Sequence, residues 1–156
     1  MSHPFCIVRC MLQAVRANKQ DLQVLVGDLD PDAIPLCETP DLWKEFVAIA
    51  RLAESAATLL ARRVEEGESW RGRGFRSAAD QMAGESGTSI SETKRQLETS
   101  KRVKRLPRTA SAMRKGKLSP AKAHAIAGAA DVDPDAEDQL LDGAETSCWP
   151  SCARTA

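Results

Sequence analysis

The amino-acid sequence predicts an all-α fold, in which one long helix packs with several short helices that include two helix-turn-helix-like units. Aromatic residues make up only 4% of the 156 residues and Tyr is absent, so a core must come from Ala, Leu, Ile and Val, which suits small helices better than sheets. The second observation is a long run of apolar residues at helical spacing. The third is a series of short segments bounded by helix caps.

Helical signals are weak at the start of the chain and strong from residue 39 onward. Residues 1–38 place apolar patches among Asp, Pro and Gly, and we expect a poorly ordered or loosely docked arm there. Residues 39–66 form the clearest helix, because Thr39 is placed to cap it, Pro40 fits its first turn and Gly67 supplies its stop. Apolar residues at spacings of three and four predict one broad buried face. They are Leu42, Phe46, Ile49, Leu52, Ala53, Ala56, Leu59, Leu60 and Val64.

A loop and a series of short helices follow the long helix. We expect Trp70 and Phe75 to pin the loop, residues 69–76, onto the core. Ser77 then opens a short helix that closes at either of two nearby glycines, and Ser89 stands three residues before a glutamate as the capping box of a basic helix. Further caps and glycines complete two units of helix, glycine-containing turn and helix. These units occupy residues 77–103 and 108–130, and an acidic helix follows them.

Charged residues, 28% of the chain, are segregated along it although the formal net charge is zero. Residues 94–122 carry eleven Lys or Arg against one acid, Glu98, which makes a local charge of about +10. Residues 131–145 carry seven acids and no base. Two opposite interpretations follow: a basic face that binds a polyanion such as DNA, or a basic segment that the protein's own acidic helix neutralises.

The basic helix has the pattern of the second helix in a nucleic-acid-binding helix-turn-helix. In that motif the first helix braces the second, whose exposed face enters the major groove beside cationic phosphate contacts. The spacing predicts the inward-facing residues Ile90, Thr93, Leu97, Ser100 and Val103. Gln96 and Thr99 are then available to contact bases or phosphates. The predicted nucleic-acid-binding cations are Lys94, Arg95, Lys101, Arg102, Lys104, Arg105 and Arg108.

A solvated helix in any bundle also displays Lys and Arg, which leaves a second function open. In this alternative the chain is a protein-interaction or degenerate structural helical module without nucleic-acid binding. The acidic helix then folds back on the basic helix and hides it. Incomplete burial of the long helix also predicts self-association through that helix.

The sequence contains no recognisable catalytic or metal-binding constellation. His3 and His124 are the only histidines and Asn18 is the only asparagine, so the ligands of a metal-dependent nuclease cannot be assembled from contiguous sequence. The segment GRGFRS lacks a preceding strand and a third glycine, which argues against a phosphate-binding glycine loop. We therefore expect no enzyme activity, no cofactor and no small-molecule substrate.

The five cysteines and the lack of long apolar runs indicate the cellular compartment of the protein. Cys6 and Cys10, and separately Cys148 and Cys152, share a four-residue spacing, but the pairs lie at opposite ends of the chain and the total is odd. This arrangement disfavours both a disulfide framework and a structural zinc site. No apolar stretch approaches the roughly 20 residues that cross a bilayer, and no secretory signal is apparent, so we expect a cytoplasmic protein without membrane contact.

Several segments, in the same order, resemble the 13E12-repeat family of high-GC bacteria, also called domain of unknown function 222. The resemblance extends from about Leu29 to Glu145. It rests on LDPDAIPLCETPDLW, LLARRVEEGESW, GFRSAADQMAGESG, SISETKRQLETSKRVKRLP and GKLSPAKAHAIAGAADVDP. Members of this family typically continue into a C-terminal HNH endonuclease module, so the resemblance implies the helical region of a nuclease-type protein and, through that neighbour, an association with DNA. No catalytic residue can be carried over, because the HNH motif is missing.

The C-terminal tail, residues 147–156, departs from the family pattern. A family-like segment LAELREDG, written in codons and read one base forward, encodes WPSCART, which reproduces residues 149–155. We therefore expect an out-of-frame tail and a product truncated before the HNH module. The predicted organisation is an N-terminal arm at 1–38, a helical domain at 39–146 and this tail.

Overall fold

The computed structural model describes residues 4–130 and 136–146, with the side chains of 7–130 and 137–143, and within these residues it confirms an all-α fold without strands. The predicted out-of-frame tail lies outside the described residues. A 3-10 turn occupies Pro31–Ala33. The helices are α1 (Pro4–Gly27), α2 (Thr39–Glu66), α3 (Ser69–Gly72), α4 (Ala78–Ser86), α5 (Ile90–Val103), α6 (Pro107–Arg114), α7 (Pro120–Ala130) and α8 (Ala136–Thr146).

The chain divides into two compact units, Met1–Trp43 and Lys44–Ala156. The first unit contains a regular helix of 24 residues, α1, which the sequence patterns did not predict, while the expectation of a poorly ordered or loosely docked arm stays a prediction. Its interior contains no Pro or Gly and is rich in Leu, Gln, Ala, Arg and Lys, which are good helix formers. Apart from Pro4 in the first turn and Asp21, the Asp, Pro and Gly residues of this segment begin at Gly27, where α1 ends.

Helix α2 ends as predicted but begins differently. Thr39 is already helical, and its hydroxyl donates to the carbonyl oxygen of Pro35 (3.0 Å) instead of capping the helix, so the predicted cap is wrong. The chain turns before the helix, and this turn carries Thr39 into the first helical position. At the other end, the Gly67 amide donates to the Arg63 carbonyl oxygen (3.0 Å), which confirms the predicted stop.

The side of α2 that packs within the second unit is not the predicted one. Its buried residues are Ser55, Thr58 and Ala61. The Ser55 hydroxyl donates to the carbonyl oxygen of Leu118 (3.3 Å), a close approach to backbone that a row of Leu and Ile side chains would prevent. Phe46, Leu59 and Val64 of the predicted face are half-buried. Its exposed members are Leu42, Ile49, Leu52, Ala53, Ala56 and Leu60.

Two clusters of buried side chains form the core of the second unit. The larger one joins α6, α7 and α8 to the end of α5, with Met113, Leu118 and Ala123 fully buried. The smaller one packs half-buried Trp70 and Met82 against Ala61, Ala78, Ala79 and Leu97. The Phe75 ring lies against Gly84, so both aromatic residues pin the loop after α2, as predicted.

The predicted caps at Ser77 and Ser89 are confirmed, whereas the predicted helix start at Asp133 and Pro134 lies outside the described residues. The Ser77 hydroxyl accepts from the amide of Asp80 (3.1 Å), and the Ser89 hydroxyl accepts from the amide of Glu92 (3.2 Å). Of the two candidate stops for α4, Gly87 is the one used, with a φ of 70°. Helices α4 and α5 pack together, as do α6 and α7. The likeness of these pairs to a DNA-binding helix-turn-helix stays a prediction.

Candidate nucleic-acid interface

The inward side of α5 is held by both apolar and polar contacts. Leu97 and Val103 are buried, and the Thr93 hydroxyl donates to the carbonyl oxygen of Ala79 on α4 (2.9 Å). Ser100 donates to the backbone of α2 (3.3 Å) and accepts from it (3.1 Å). Four of the five predicted inward residues are therefore confirmed. Ile90 is the exception, because it stands in the first turn of α5 and remains 45% exposed.

Gln96 and Thr99 do not point outward as predicted. The Gln96 amide donates to the hydroxyl of Thr58 on α2 (3.2 Å). Thr99 is buried, and its hydroxyl donates to the Arg95 carbonyl oxygen (2.8 Å) while contacting Nδ1 of His124 on α7 (2.7 Å). Both side chains belong to the helix–helix packing, because α2 and α7 come close to this side of α5. The available surface of α5 therefore consists mainly of charged groups.

Three of the predicted cations, Lys94, Lys104 and Arg105, are exposed and make no ion pair with any described residue. Lys94 and Lys101 are separated by seven residues, so they share the outward side of α5, and Lys104 and Arg105 follow in the turn after the helix. At 1.5 Å per residue these two lysines on α5 lie about 10 Å apart along the helix axis. Cations near the C-terminal end of α5 also complement the helix dipole, which makes this end a stable place for them.

The other four predicted cations each pair with at least one carboxylate. Most of these groups are well exposed, and such surface pairs contribute roughly 0–1 kcal/mol, so a phosphate can replace the carboxylate at little cost. Seven cations against these four carboxylates leave an excess of three positive charges. The pairs are Arg95–Glu92 (3.4 Å), Lys101–Glu65 (2.7 Å), Arg102–Glu98 (3.8 Å) and Arg108–Asp138.

The acidic helix α8 packs on α6 and α7, and α5 is not among its contacts in the described part of the chain. The buried carboxylate of Glu137 accepts from the amide and the hydroxyl of Thr109, both at 2.8 Å, near the start of α6. Next to it, Asp138 pairs with Arg108. The described part of α8 therefore neutralises a cation at the beginning of α6, whereas the outward cations of α5 lie beyond its contacts.

His124 contacts α5 through Thr99, on the side of the helix away from the exposed cations. Because the Thr99 hydroxyl donates to a carbonyl, the contact with His124 requires a proton on Nδ1, which leaves Nε2 as an acceptor. Partial burial lowers the pKa of His124, and the positive charges of Arg95 and Arg102 lower it further, against an opposing effect of Glu98. The ring is thus neutral at physiological pH and adds no charge to the surface.

Two features near the interface have no counterpart in the sequence predictions. A groove of about 390 Å³ runs beside α5, and its lining includes Thr58, Gln96 and His124. Just after α6, Lys115 and Lys117 join Arg108 around a hollow of about 290 Å³. Both lysines belong to the run of eleven cations but not to the seven that were predicted to bind DNA. The groove forms where residues of four helices meet, so it leaves no signal in the sequence.

Within the described residues, neither a cluster of metal ligands nor a membrane-spanning helix occurs. Among them, no three His, Cys, Asp or Glu side chains lie close enough to hold a metal ion. Cys10 and Cys37 are exposed free thiols, whereas Cys148 and Cys152 lie outside the described residues. None of the helices seen there combines the length and apolar character that a bilayer crossing requires.

Comparison with known protein families identifies the family of this chain. A model of the family described as "Domain of unknown function (DUF222)" matches residues 41–155, most of the chain. No curated protein and no solved structure matches this chain.

Proposed function

Because the chain belongs to the domain of unknown function 222 family, whose description names no activity, we propose a function from the arrangement of its charges. The outward side of α5 and the corner between α5 and α6 bind duplex DNA through its phosphates. One observation carries this proposal: Lys94, Lys104 and Arg105 are exposed and without a described ion pair. A row of such cations offers a polyanion attraction at little desolvation cost.

The same geometry favours binding that is independent of DNA sequence. Base recognition needs side chains that present donors and acceptors to base edges, as Gln or Asn do. Gln96 and Thr99, the two polar candidates on α5, are engaged with α2 and α7. Glu92 and Glu98 are exposed but pair with Arg95 and Arg102. The cations contact phosphates, which every sequence shares. We therefore expect similar affinities for unrelated duplexes of equal length.

Fluorescence anisotropy with a labelled duplex at several salt concentrations tests the proposal. If about four cations meet phosphates, the logarithm of the association constant should fall with the logarithm of salt concentration at a slope near −3.6. Replacing Lys104 and Arg105 by Gln should make the slope shallower by roughly 1.8. Arg71 and Arg73 are exposed cations away from α5, and their replacement by Gln is the matched control that should leave the slope unchanged. Absence of binding even at low salt would exclude this function.

The second candidate function is a helical interaction module in which α8 covers the cations. The Arg108–Asp138 pair and the buried Glu137 contact support it, since they place acidic groups on the basic segment. Deleting α8 is a poor test, because Leu141 is part of the core. Asp138→Asn instead removes one charge and leaves the packing intact. No DNA binding by the wild type, together with binding by this variant, would favour the second function.

The proposed role is non-catalytic, and we place it in the cytoplasm, where DNA is accessible in bacteria. The resemblance to 13E12-repeat proteins further supports a role beside an HNH nuclease module. The groove beside α5 is lined by hydroxyls, one cation, one neutral histidine and the carboxylates of Glu54 and Glu92. Among the described residues these carboxylates do not combine with other His, Cys, Asp or Glu into the cluster of three ligands that a nuclease metal centre needs. Incubating the chain with plasmid DNA and Mg²⁺ should produce no nicks, and nicking that disappears with a chelator would contradict this role.

A further inference from the structure

The outward side of α2 carries an apolar stripe that is largely exposed. Its members succeed one another at spacings of three or four, which keeps them on one side of the helix. Ile49 is 41% and Leu60 is 60% exposed, and the alanines between them are exposed as well. The side chains at the two ends are half-buried. We define the outward stripe as Phe46, Ile49, Ala53, Ala56, Leu60 and Val64.

The outward stripe lies opposite the side by which α2 packs against the other helices of the second unit. At about 100° per residue, the middle of the stripe is roughly half a turn from Ser55 and Thr58, which are buried. The contacts that bury Ser55 and Thr58 therefore leave the stripe accessible. A contiguous apolar strip of this kind on a helix marks an interaction surface.

Charges at the two ends of the stripe identify its occupant. Glu45 and Arg63 are both exposed and lie 18 residues apart, five full turns, so they stand on the same edge of the stripe about 27 Å from each other. In an antiparallel pair of α2 helices, Glu45 of each copy lies opposite Arg63 of the other. In a parallel pair the two-fold axis runs along the helices and puts this edge of one copy on the other flank of the contact, so Glu45 and Arg63 of the two copies would not meet.

We infer that the outward stripe docks the α2 helix of a second copy of this chain in antiparallel orientation. A two-fold axis between residues 54 and 55 places Ile49 beside Leu60 of the other copy and Ala53 beside Ala56. The alanines at the centre allow the helices to approach closely, and the larger side chains fill the space toward each end. This inference is independent of DNA binding and stands if that function fails.

The size of this contact predicts a weak dimer. A strip about 27 Å long on a helix about 10–12 Å wide covers roughly 300 Å² on each copy. Stable interfaces bury roughly 800 Å² on each partner. We therefore expect a dissociation constant on the order of 10–100 µM.

Analytical ultracentrifugation of the full chain, from about 5 to about 500 µM, measures this association. A reducing agent is required, because Cys10 and Cys37 are exposed thiols that could form disulfide dimers. The wild type should pass from monomer to dimer, and Leu60→Glu should raise the dissociation constant at least about tenfold, since it places a charge in the contact. A wild type that stays monomeric, or a Leu60→Glu variant that associates as strongly, would overturn the inference.

A charge exchange tests the antiparallel orientation. Glu45→Arg and Arg63→Glu should each weaken dimerisation roughly three- to tenfold, and the double variant should restore it to within about twofold. Arg63 also pairs with Glu66 of its own helix (2.5 Å), but the double variant lacks that pair too, so restoration has to come from the other copy. Glu54→Arg is the matched control, because Glu54 is exposed half a turn away from Glu45. Single variants that match the wild type, or a double variant that remains weak, would contradict this arrangement.

Discussion

Helices α2 and α5 contact each other but present opposite chemistry to solvent. Helix α5 buries Leu97 and Val103 and directs its cations outward. Helix α2 buries Ser55 and Thr58 and leaves Leu60 exposed on its other side. Apolar periodicity therefore identified both helices, but it identified the buried side of only one of them. The packing partner decides which side a helix buries. On α2 the Ser55 hydroxyl donates to the Leu118 carbonyl oxygen, and the Ser100 hydroxyl of α5 donates to the Leu59 carbonyl oxygen of α2.

The largest expected effect comes from removing an apolar side chain on the inward side of α5. Leu97→Ala should lower the free energy of unfolding by about 2–5 kcal/mol, because it leaves a cavity among Ala61, Ala78 and Trp70. Leu60→Ala on the outward side of α2 should change it by less than about 0.5 kcal/mol at low protein concentration. Urea denaturation measures both values. Equal losses would contradict the difference between the two helices.

A smaller effect is expected where α2 meets the turn after α6. Gly116 has a φ of 67°, and a β-carbon there would lie 2.8 Å from Cδ2 of Leu52. Gly116→Ala should therefore reduce the free energy of unfolding by roughly 1–3 kcal/mol. Gly72→Ala is the matched control, because Gly72 is helical with open space around it, and its melting temperature should stay close to that of the wild type.

The polar contact on the buried side of α2 should contribute less. Ser55→Ala removes the hydrogen bond to the Leu118 carbonyl oxygen and should lower the free energy of unfolding by about 0.5–1.5 kcal/mol. Ala56→Ser adds the same hydroxyl on the outward side, where it stays in water and should have little effect. If the two substitutions have equal effects in thermal melts, Ser55 does not anchor α2.

The smallest expected effect is a pH dependence at His124, on the rear side of α5. Its pKa in the folded protein is lowered, first by burial and then by Arg95 and Arg102, so protons bind more readily to the unfolded chain. Stability from this group is complete above the ordinary histidine pKa and is lost as pH falls from there toward the lowered value. The free energy of unfolding between about pH 8 and about pH 5.5 should therefore fall more for the wild type than for His124→Gln. Identical pH dependence would show that His124 is not desolvated.

The sequence predicted the exposure of the cations at the candidate interface, but it did not predict the orientation of the polar residues beside them. A run of Lys and Arg on a helix with a clear inward face predicts where the charges point, because the face repeats every three or four residues. Lys94 and Arg105 are exposed as this pattern predicts. The same reasoning assigned Gln96 and Thr99 to the outside, because a polar residue at the border of a helix face can satisfy its hydrogen bonds with water or with protein. Only the positions of Thr58 and His124 settle that choice.

By itself the sequence determined the helical class, the caps at Ser77 and Ser89, and the concentration of positive charge between residues 94 and 122. These features depend on interactions between residues a few positions apart, so they can be recognised along the chain. The tertiary structure decided the buried side of α2 and the placement of α8 on α6. Both depend on hydrogen bonds between residues far apart in sequence, such as the bond from Ser55 to Leu118 and the bond from Thr109 to Glu137, whose partners meet only after folding.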